Sequence, residues 1–300
     1  MRLFFSQGRL RSGWRIILHS ILVLFFTFLV GIPVALLLGD LDALPSEPSL
    51  PAYVNLGNRW LLVSQLSFAI GLTFATYLAR RWLDKKSFRS LGVEINRWTF
   101  RDLIAGILIA GLMMGVIFLL EFALGWLRVE GFAWQTAGFD RLWQEVFIVA
   151  LVFILVGWTE ELLSRGYHLQ NLVEGLNLPL GVALSSLIFA LLHQSNPSFT
   201  LGAFLGLFFA ALFFCFAYYW VGNLWLPIGL HIGWNFFEGV VFGFQVSGLE
   251  DLPKLILHNV SGPPWITGGA FGPEAGLILG SGLLVGVGLV FLYRSWRERG

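Results

Sequence analysis

Six polar residues stand where an apolar chain should not have them. Glu160, Glu161 and Arg165 close one uncharged run, His193 closes another, and His231 and Asn235 interrupt a third. A charge at mid-bilayer costs about 2.5 kcal/mol or more, so ionisable side chains inside such runs are candidates for function. Helical spacing sets their directions. Residues four apart share a face, while neighbours diverge by about 100°. Glu161 and Arg165 can therefore pair, which keeps both charged at lower cost, and Glu160 points elsewhere and is free for another task. His231 and Asn235 project together, as do Phe189 and His193.

A buried carboxylate, two imidazoles and a carboxamide suit hydrolysis. The carboxylate can take a proton from water. His193 and His231 can hold a divalent metal, zinc first, that acidifies that water, or they can donate hydrogen bonds to an oxyanion. Asn235 completes either arrangement, so spacing alone leaves a metal site and a metal-free site both open. No His-Glu-x-x-His helix is present, which removes the familiar zinc-protease motif.

The elements that must carry these residues are membrane helices. The 300 residues are 57% hydrophobic and 12% charged, with mean hydropathy +0.76. Soluble domains carry about 25% charge, so a cytosolic globule, a disordered tail and a coiled coil are excluded. The net charge of +1 gives no basic field for nucleic acid. The single cysteine, Cys215, excludes an internal disulfide and reads as a packed apolar residue. Apolar runs that read as membrane spans are Ile16–Gly39, Trp60–Ala79, Leu103–Trp126 with one acid, Glu121, near its end, Val146–Thr159, which runs straight into Glu160 and Glu161, the shorter candidate Leu178–His193, Phe199–Gly222, Trp225–Val246, which carries His231, Asn235 and Glu238, and Ala275–Tyr293. They predict an all-α polytopic bundle of about eight transmembrane helices around a polar intramembrane cavity, forming a single integral membrane domain over residues 1–300.

Orientation follows from Lys and Arg. With the N-terminus in the cytoplasm, only Arg59, Arg128, Arg141 and Lys254 of the 19 Lys and Arg face outward. Both termini are therefore expected in the cytoplasm, in a multi-pass protein of the cell membrane. The first run is too long for a secretory leader and reads as an uncleaved anchor. Lys85–Arg101 reads either as a stretch on the anionic inner leaflet or as a plain basic loop, and the Gly- and Pro-rich Ser247–Pro273 as a cap or a loose loop. Glu121 and Glu238 read as interfacial or hydrogen-bonded, His19 and His168 as structural or interfacial, and His258 as part of the outer loop. At 1.5 Å per residue, Glu160, His193 and His231 lie about 12–21 Å from the turns below them and can meet below the midplane.

The chain resembles a known family at these residues. Glu160-Glu161-Leu162-Leu163-Ser164-Arg165, followed by Gly166-Tyr167, matches the EExxxR motif of the CAAX-protease and bacteriocin-processing (CPBP, or Abi) family of intramembrane proteases, related to type II CAAX prenyl endopeptidases. Phe189–His193 matches its FxxxH motif and His231–Asn235 its HxxxN motif, in order and on separate helices, within a core of about 146–237. The resemblance implies an eight-helix bundle whose cavity opens to the cytoplasm. It implies that Glu160 activates water, that His193 shares that water or binds metal, and that His231 and Asn235 bind metal or hold the oxyanion. Glu161 and Arg165 would support the site as an ion pair, or Glu161 would assist directly. The substrate would be a peptide or membrane protein, lipidated tails included, cut at a peptide bond near the cytoplasmic face. The alternative is a non-catalytic immunity or scaffold protein of the same family; a transporter is weaker, since the chain shows no duplicated halves.

Overall fold

A computed structural model describes residues 4–6, 9–38, 58–135 and 138–299; Arg2 and Gly39 lie outside the described residues. Helix α1 covers Ser12–Leu38 and α2 Asn58–Leu78, which widens into a π turn at Ala79–Leu83. Helix α3 is Thr99–Ala123. Helix α4, Phe139–Glu161, runs through a π-helical stretch at Leu162–His168 into α5, Leu169–Gly175. Helices α6, Leu178–Leu192, and α7, Leu201–Val221, follow. Helix α8, Trp225–Asn235, continues as a π turn over Phe236–Val241; the single turn α9, Pro264–Thr267, and the long α10, Leu279–Arg297, complete the set. Two small antiparallel ribbons are the only sheet among the described residues. One pairs β1, Phe5–Ser6, with β2, Arg9–Leu10. The other pairs β3, Leu127–Phe132, with β4, Ile256–Val260, in the register Leu127 to Val260 through Phe132 to Ile256, with a bulge between Val129 and Gly131.

All eight expected runs are helical, and six helices are long and apolar enough to cross a membrane. The other two are shorter. Helix α6 has 15 residues, about 22 Å, because the chain turns inward after Leu192. Helix α8 needs no lipid-spanning face, since every residue from Leu226 to Asn235 is buried inside the bundle. By contrast, the rod Phe139–Gly175 has 37 residues. At about 55 Å it outruns a hydrocarbon core of about 30 Å.

Close approach of α3 and α8 depends on residues without side chains. A Cβ at Gly106 would meet the Leu226 carbonyl, one at Gly229 the Leu103 carbonyl, and one at Gly233 the Ile107 carbonyl. This is the small-residue packing that substitutes for a hydrophobic driving force in lipid. The opposite flank of α8 repeats the device, where a Cβ at Gly157 of α4 would run into Ile232.

A cluster centred on Met113, Met114, Phe213, Leu230 and Val290 fills the space between α3, α7, α8 and α10. Near the Arg-rich end, buried Asp84 accepts from Arg15 (3.0 Å) and Arg80 (2.8 Å) and lies beside Asn171 (3.3 Å). That carboxylate ties α1, the end of α2 and α5 together. At the other end, Ser247–Pro273 is a folded cap rather than a loose loop. It contributes β4 to the ribbon with β3 and buries Leu252 and Phe271.

Gly229→Val is expected to destabilise the protein in detergent by about 1–3 kcal/mol, the usual cost of forcing volume into a packed contact. Gly280→Ala, where an added Cβ meets nothing, serves as the control. Equal denaturation midpoints for the two variants would show that the α3–α8 contact does not require glycine.

Candidate active site

The described fold brings all six motif residues to one place, and a single carboxylate oxygen organises them. Oε1 of Glu161 accepts from Arg165 Nη1 at 2.9 Å and from His231 Nδ1 at 2.8 Å. Both Glu161 and Arg165 are fully buried. The guanidinium lies between the rings of Phe189 and Phe214, 4.4 and 4.9 Å from their centroids. Its Nη2 also donates to the Ala211 carbonyl at 3.3 Å. One ion pair thus joins α4 to α6, α7 and α8, with charge-assisted hydrogen bonds and cation–π contacts standing in for water.

Glu160 points away from that pair, as helical geometry requires, and into a cavity of about 370 Å³. Its Oε2 stands 3.7 Å from Nε2 of His193 and 3.7 Å from Nε2 of His231. The partners of the two rings fix their tautomers. His193 Nδ1 donates to the Phe189 carbonyl at 2.8 Å, across one turn of the FxxxH motif. His231 Nδ1 donates to Glu161. Each neutral ring therefore presents an unprotonated Nε2 toward Glu160. Two lone pairs and a carboxylate oxygen converge with no donor between them, and Glu160 Oε2 is buried without a hydrogen bond. Whatever occupies that point must supply protons or positive charge. Asn235, one turn beyond His231, lines the same cavity.

Two imidazoles and a carboxylate have the donor chemistry of a zinc site. Zinc ligands at about 2.0–2.1 Å in tetrahedral array stand about 3.3 Å from one another, whereas Glu160 Oε2 stands 3.7 Å from each ring nitrogen. Among the described residues no three His, Cys, Asp or Glu side chains are arranged to hold an ion.

The remaining walls are apolar, with Phe68, Val152, Leu163, Leu207 and Leu249 among them. One wall carries an acid that motif reading missed. Glu274, from the cap, faces the cavity and accepts from Trp234 Nε1 at 3.0 Å and Ser247 Oγ at 2.6 Å. Its sequence context, Gly-Pro-Glu-Ala, has no periodicity to flag it. Glu238 and Glu121, expected near the interface, are both fully buried, because the cap and the β3–β4 ribbon cover the bundle end. His19 and His168 are structural as expected: His19 stacks on Tyr167 at 3.9 Å and bonds Thr76 Oγ1 at 2.9 Å.

The cavity is also lined by Ser195 and Asn196 after α6, and by Ser247, Leu249 and Glu274. Toward the Arg-rich end lie the fully buried Leu162, Tyr167, Leu169 and Leu224 and the Asp84 network.

Residues 142–237 match the family model described as type II CAAX prenyl endopeptidase Rce1-like. The Uncharacterized protein YyaK of Bacillus subtilis (strain 168) is 25% identical over 196 residues, a match covering 63% of this chain and 64% of that protein. No solved structure matches the chain.

Arg165→Gln, which leaves Glu161 buried without its cation, is expected to cost about 3–5 kcal/mol of stability. Denaturant titration in mixed micelles reads this directly. A change below about 1 kcal/mol would mean that the pair does not hold the four helices together.

Proposed function

We propose that the chain is an intramembrane endopeptidase in which Glu160 activates water for attack on a peptide bond. The match of residues 142–237 to the type II CAAX prenyl endopeptidase Rce1-like family model supports this reading. The single observation that carries it is the convergence of Glu160, His193 Nε2 and His231 Nε2 on one donorless point beside Asn235.

The step balances on the protein's own groups. Water at that point gives one hydrogen to Glu160 Oε2 and the other to an imidazole Nε2, which orients its lone pair. As oxygen attacks the carbonyl carbon, the O–H bond to Glu160 breaks and the proton stays on the carboxyl group. The carbonyl electrons move to oxygen, and the amide N–H of Asn235 donates to the resulting oxyanion. On collapse the C–N bond breaks and the leaving amine takes the proton back from Glu160. Glu161 and Arg165 act as positioning residues, holding His231 in the tautomer that leaves Nε2 bare. The apolar walls suit a peptide segment of membrane-embedded character, lipidated or not.

In cells expressing the full chain, N-terminal sequencing of the membrane fraction should find cleavage products that disappear with Glu160→Gln. With a substrate identified this way, Glu160→Gln should lower turnover by about 10²–10⁴-fold and Asn235→Ala by about 10²–10³-fold, with folding retained. Identical product sets with wild type and Glu160→Gln would reject the reading. Purified protein should hold no stoichiometric zinc and keep its activity in chelator. Loss of activity in chelator, restored by zinc, would instead put an ion among Glu160, His193 and His231.

A further inference from the structure

We propose that a cleft at the start of α1 binds a phosphate group, carried by an anionic phospholipid or free in solution. The cleft is separate from the catalytic cavity, and its ligand does not depend on the peptidase reading.

A surplus of cations marks the place. Glu174, near the end of α5, is held by three of them at once: Arg9 Nη2 at 3.0 Å, Arg15 Nη2 at 3.2 Å and Lys86 Nζ at 2.7 Å. The other carboxylate of the cluster, Asp84, is taken by Arg15 Nη1 at 3.0 Å and Arg80 Nη1 at 2.8 Å. Four cations thus share two acids. Arg11 adds a fifth, exposed and in no ion pair among the described residues. Each carboxylate cancels one charge, so these groups together leave three positive charges uncompensated. Such a concentration draws a counter-anion, more strongly where lipid on one side lowers the dielectric.

The cleft gives that anion room. It has a volume of about 610 Å³ and is lined by Arg9, Arg11 and Arg15, by the first turn of α1 and by Glu174. Helix α1 has 27 residues, and the opening N–H groups of a helix have no partner within it. They add the positive end of the helix dipole to the guanidinium groups. Arg15 is only 3% exposed, and its Nε is buried without a hydrogen bond. One lining guanidinium therefore keeps an unused donor. A Cβ at Gly175 would strike Ser12 Oγ, so glycine is what lets the end of α5 bring Glu174 this close to α1. Guanidinium groups fork onto phosphate oxygens two N–H bonds at a time, which favours a tetrahedral oxyanion over a halide.

Position suits a headgroup. The candidate membrane span begins at Ser12, and Trp14, Ile17, Leu18 and Ile21, which follow on α1, are exposed. Phe4 packs on Trp14 with ring centroids 5.1 Å apart. Two aromatic rings thus sit beside the guanidinium groups where the polar chain passes into the span, the level of aromatic belts and headgroups. A phosphate held here has apolar side chains alongside for an acyl chain. An anionic phospholipid satisfies both features; free phosphate satisfies the charge.

The test uses the purified full chain, delipidated in a neutral detergent, with three probes: phosphatidylglycerol, phosphatidylcholine and inorganic phosphate. Native mass spectrometry counts bound lipid, and equilibrium dialysis with radiolabelled phosphate reads the free ion. Phosphatidylglycerol is expected to bind at one molecule per chain, about five-fold or more tighter than phosphatidylcholine, and Arg11→Gln to weaken it by about five-fold. Arg89→Gln, which removes an exposed cation outside the cleft, should leave binding unchanged. Arg11 holds neither Asp84 nor Glu174, so both variants should keep the parent's melting midpoint. Binding of inorganic phosphate that Arg11→Gln weakens, without preference for phosphatidylglycerol, supports the site with the free ion as its source; binding of phosphatidylglycerol alone supports it with the lipid as source. Binding of neither overturns the proposal. So does an equal loss in Arg89→Gln and Arg11→Gln, which would make the attraction a diffuse property of the basic end rather than of this cleft.

Discussion

One shared oxygen atom organises the interior of this protein. Burying a carboxylate and a guanidinium together is tolerable only if every strong donor and acceptor finds a partner. Here Glu161 Oε1 meets Arg165 and His231, while Arg165 is held between Phe189 and Phe214. Those partners sit on α6, α7 and α8, so satisfying the charge fixes where three other helices lie relative to α4. Gly157 makes this possible from the α4 side, because a Cβ there would hold α8 off. The catalytic geometry is then a by-product. With Glu161 committed to the pair, its neighbour Glu160 faces the opposite hollow, and the ring that Glu161 grips can offer that hollow only Nε2.

Much of this was legible in the sequence, for definable reasons. The i,i+4 pairs Glu161–Arg165, Phe189–His193 and His231–Asn235 are short-range, so helical spacing alone predicts their shared faces. Apolar run length predicts the long helices. What stayed hidden depends on contacts between distant segments. Glu274 reaches the cavity only because the cap folds back onto the bundle; neither its neighbours nor its spacing from Trp234 announces that. The shortness of α6 was legible in its run, but what its end lines was not. The run Leu178–His193 is as apolar as a lipid-spanning one, and only the inward turn at Ser195–Asn196 shows that its upper end lines a hollow.

The Arg-rich end illustrates how one set of residues can carry two meanings. As a count of cations it reads as topology. As structure, Arg15 and Arg80 are buried clamps on Asp84, while Arg9 and Lys86 hold Glu174 at 3.0 and 2.7 Å. The exposed pairs add little stability, being screened by water and salt. The buried ones add specificity of arrangement: α1, α2 and α5 must meet at one register for Asp84 to be satisfied. A seal built of ion pairs is harder to pry open in lipid than an apolar contact of the same size, because its parts cannot separate into hydrocarbon.

An apolar hollow with a few acceptors at one end also explains why the polar set is so small. In low dielectric each oriented dipole acts more strongly than in water, and costs more if it is left unpaired. Glu160, His193 and His231 supply only acceptors at their point of convergence, which selects for a water molecule with both hydrogens engaged and its lone pairs turned outward. Asn235 is the cavity's nearby amide donor, and it sits one helical turn from His231 on the same face. In the proposed reaction, the oxyanion donor and one of the water's acceptors would both be set by a single helix, α8, which makes glycine contacts with α3 and α4. A shift of that helix moves the donor and one acceptor together, so the distance that matters most for catalysis, from Glu160 to the α8 pair, is governed by the packing of Gly157, Gly229 and Gly233 rather than by any residue that touches substrate.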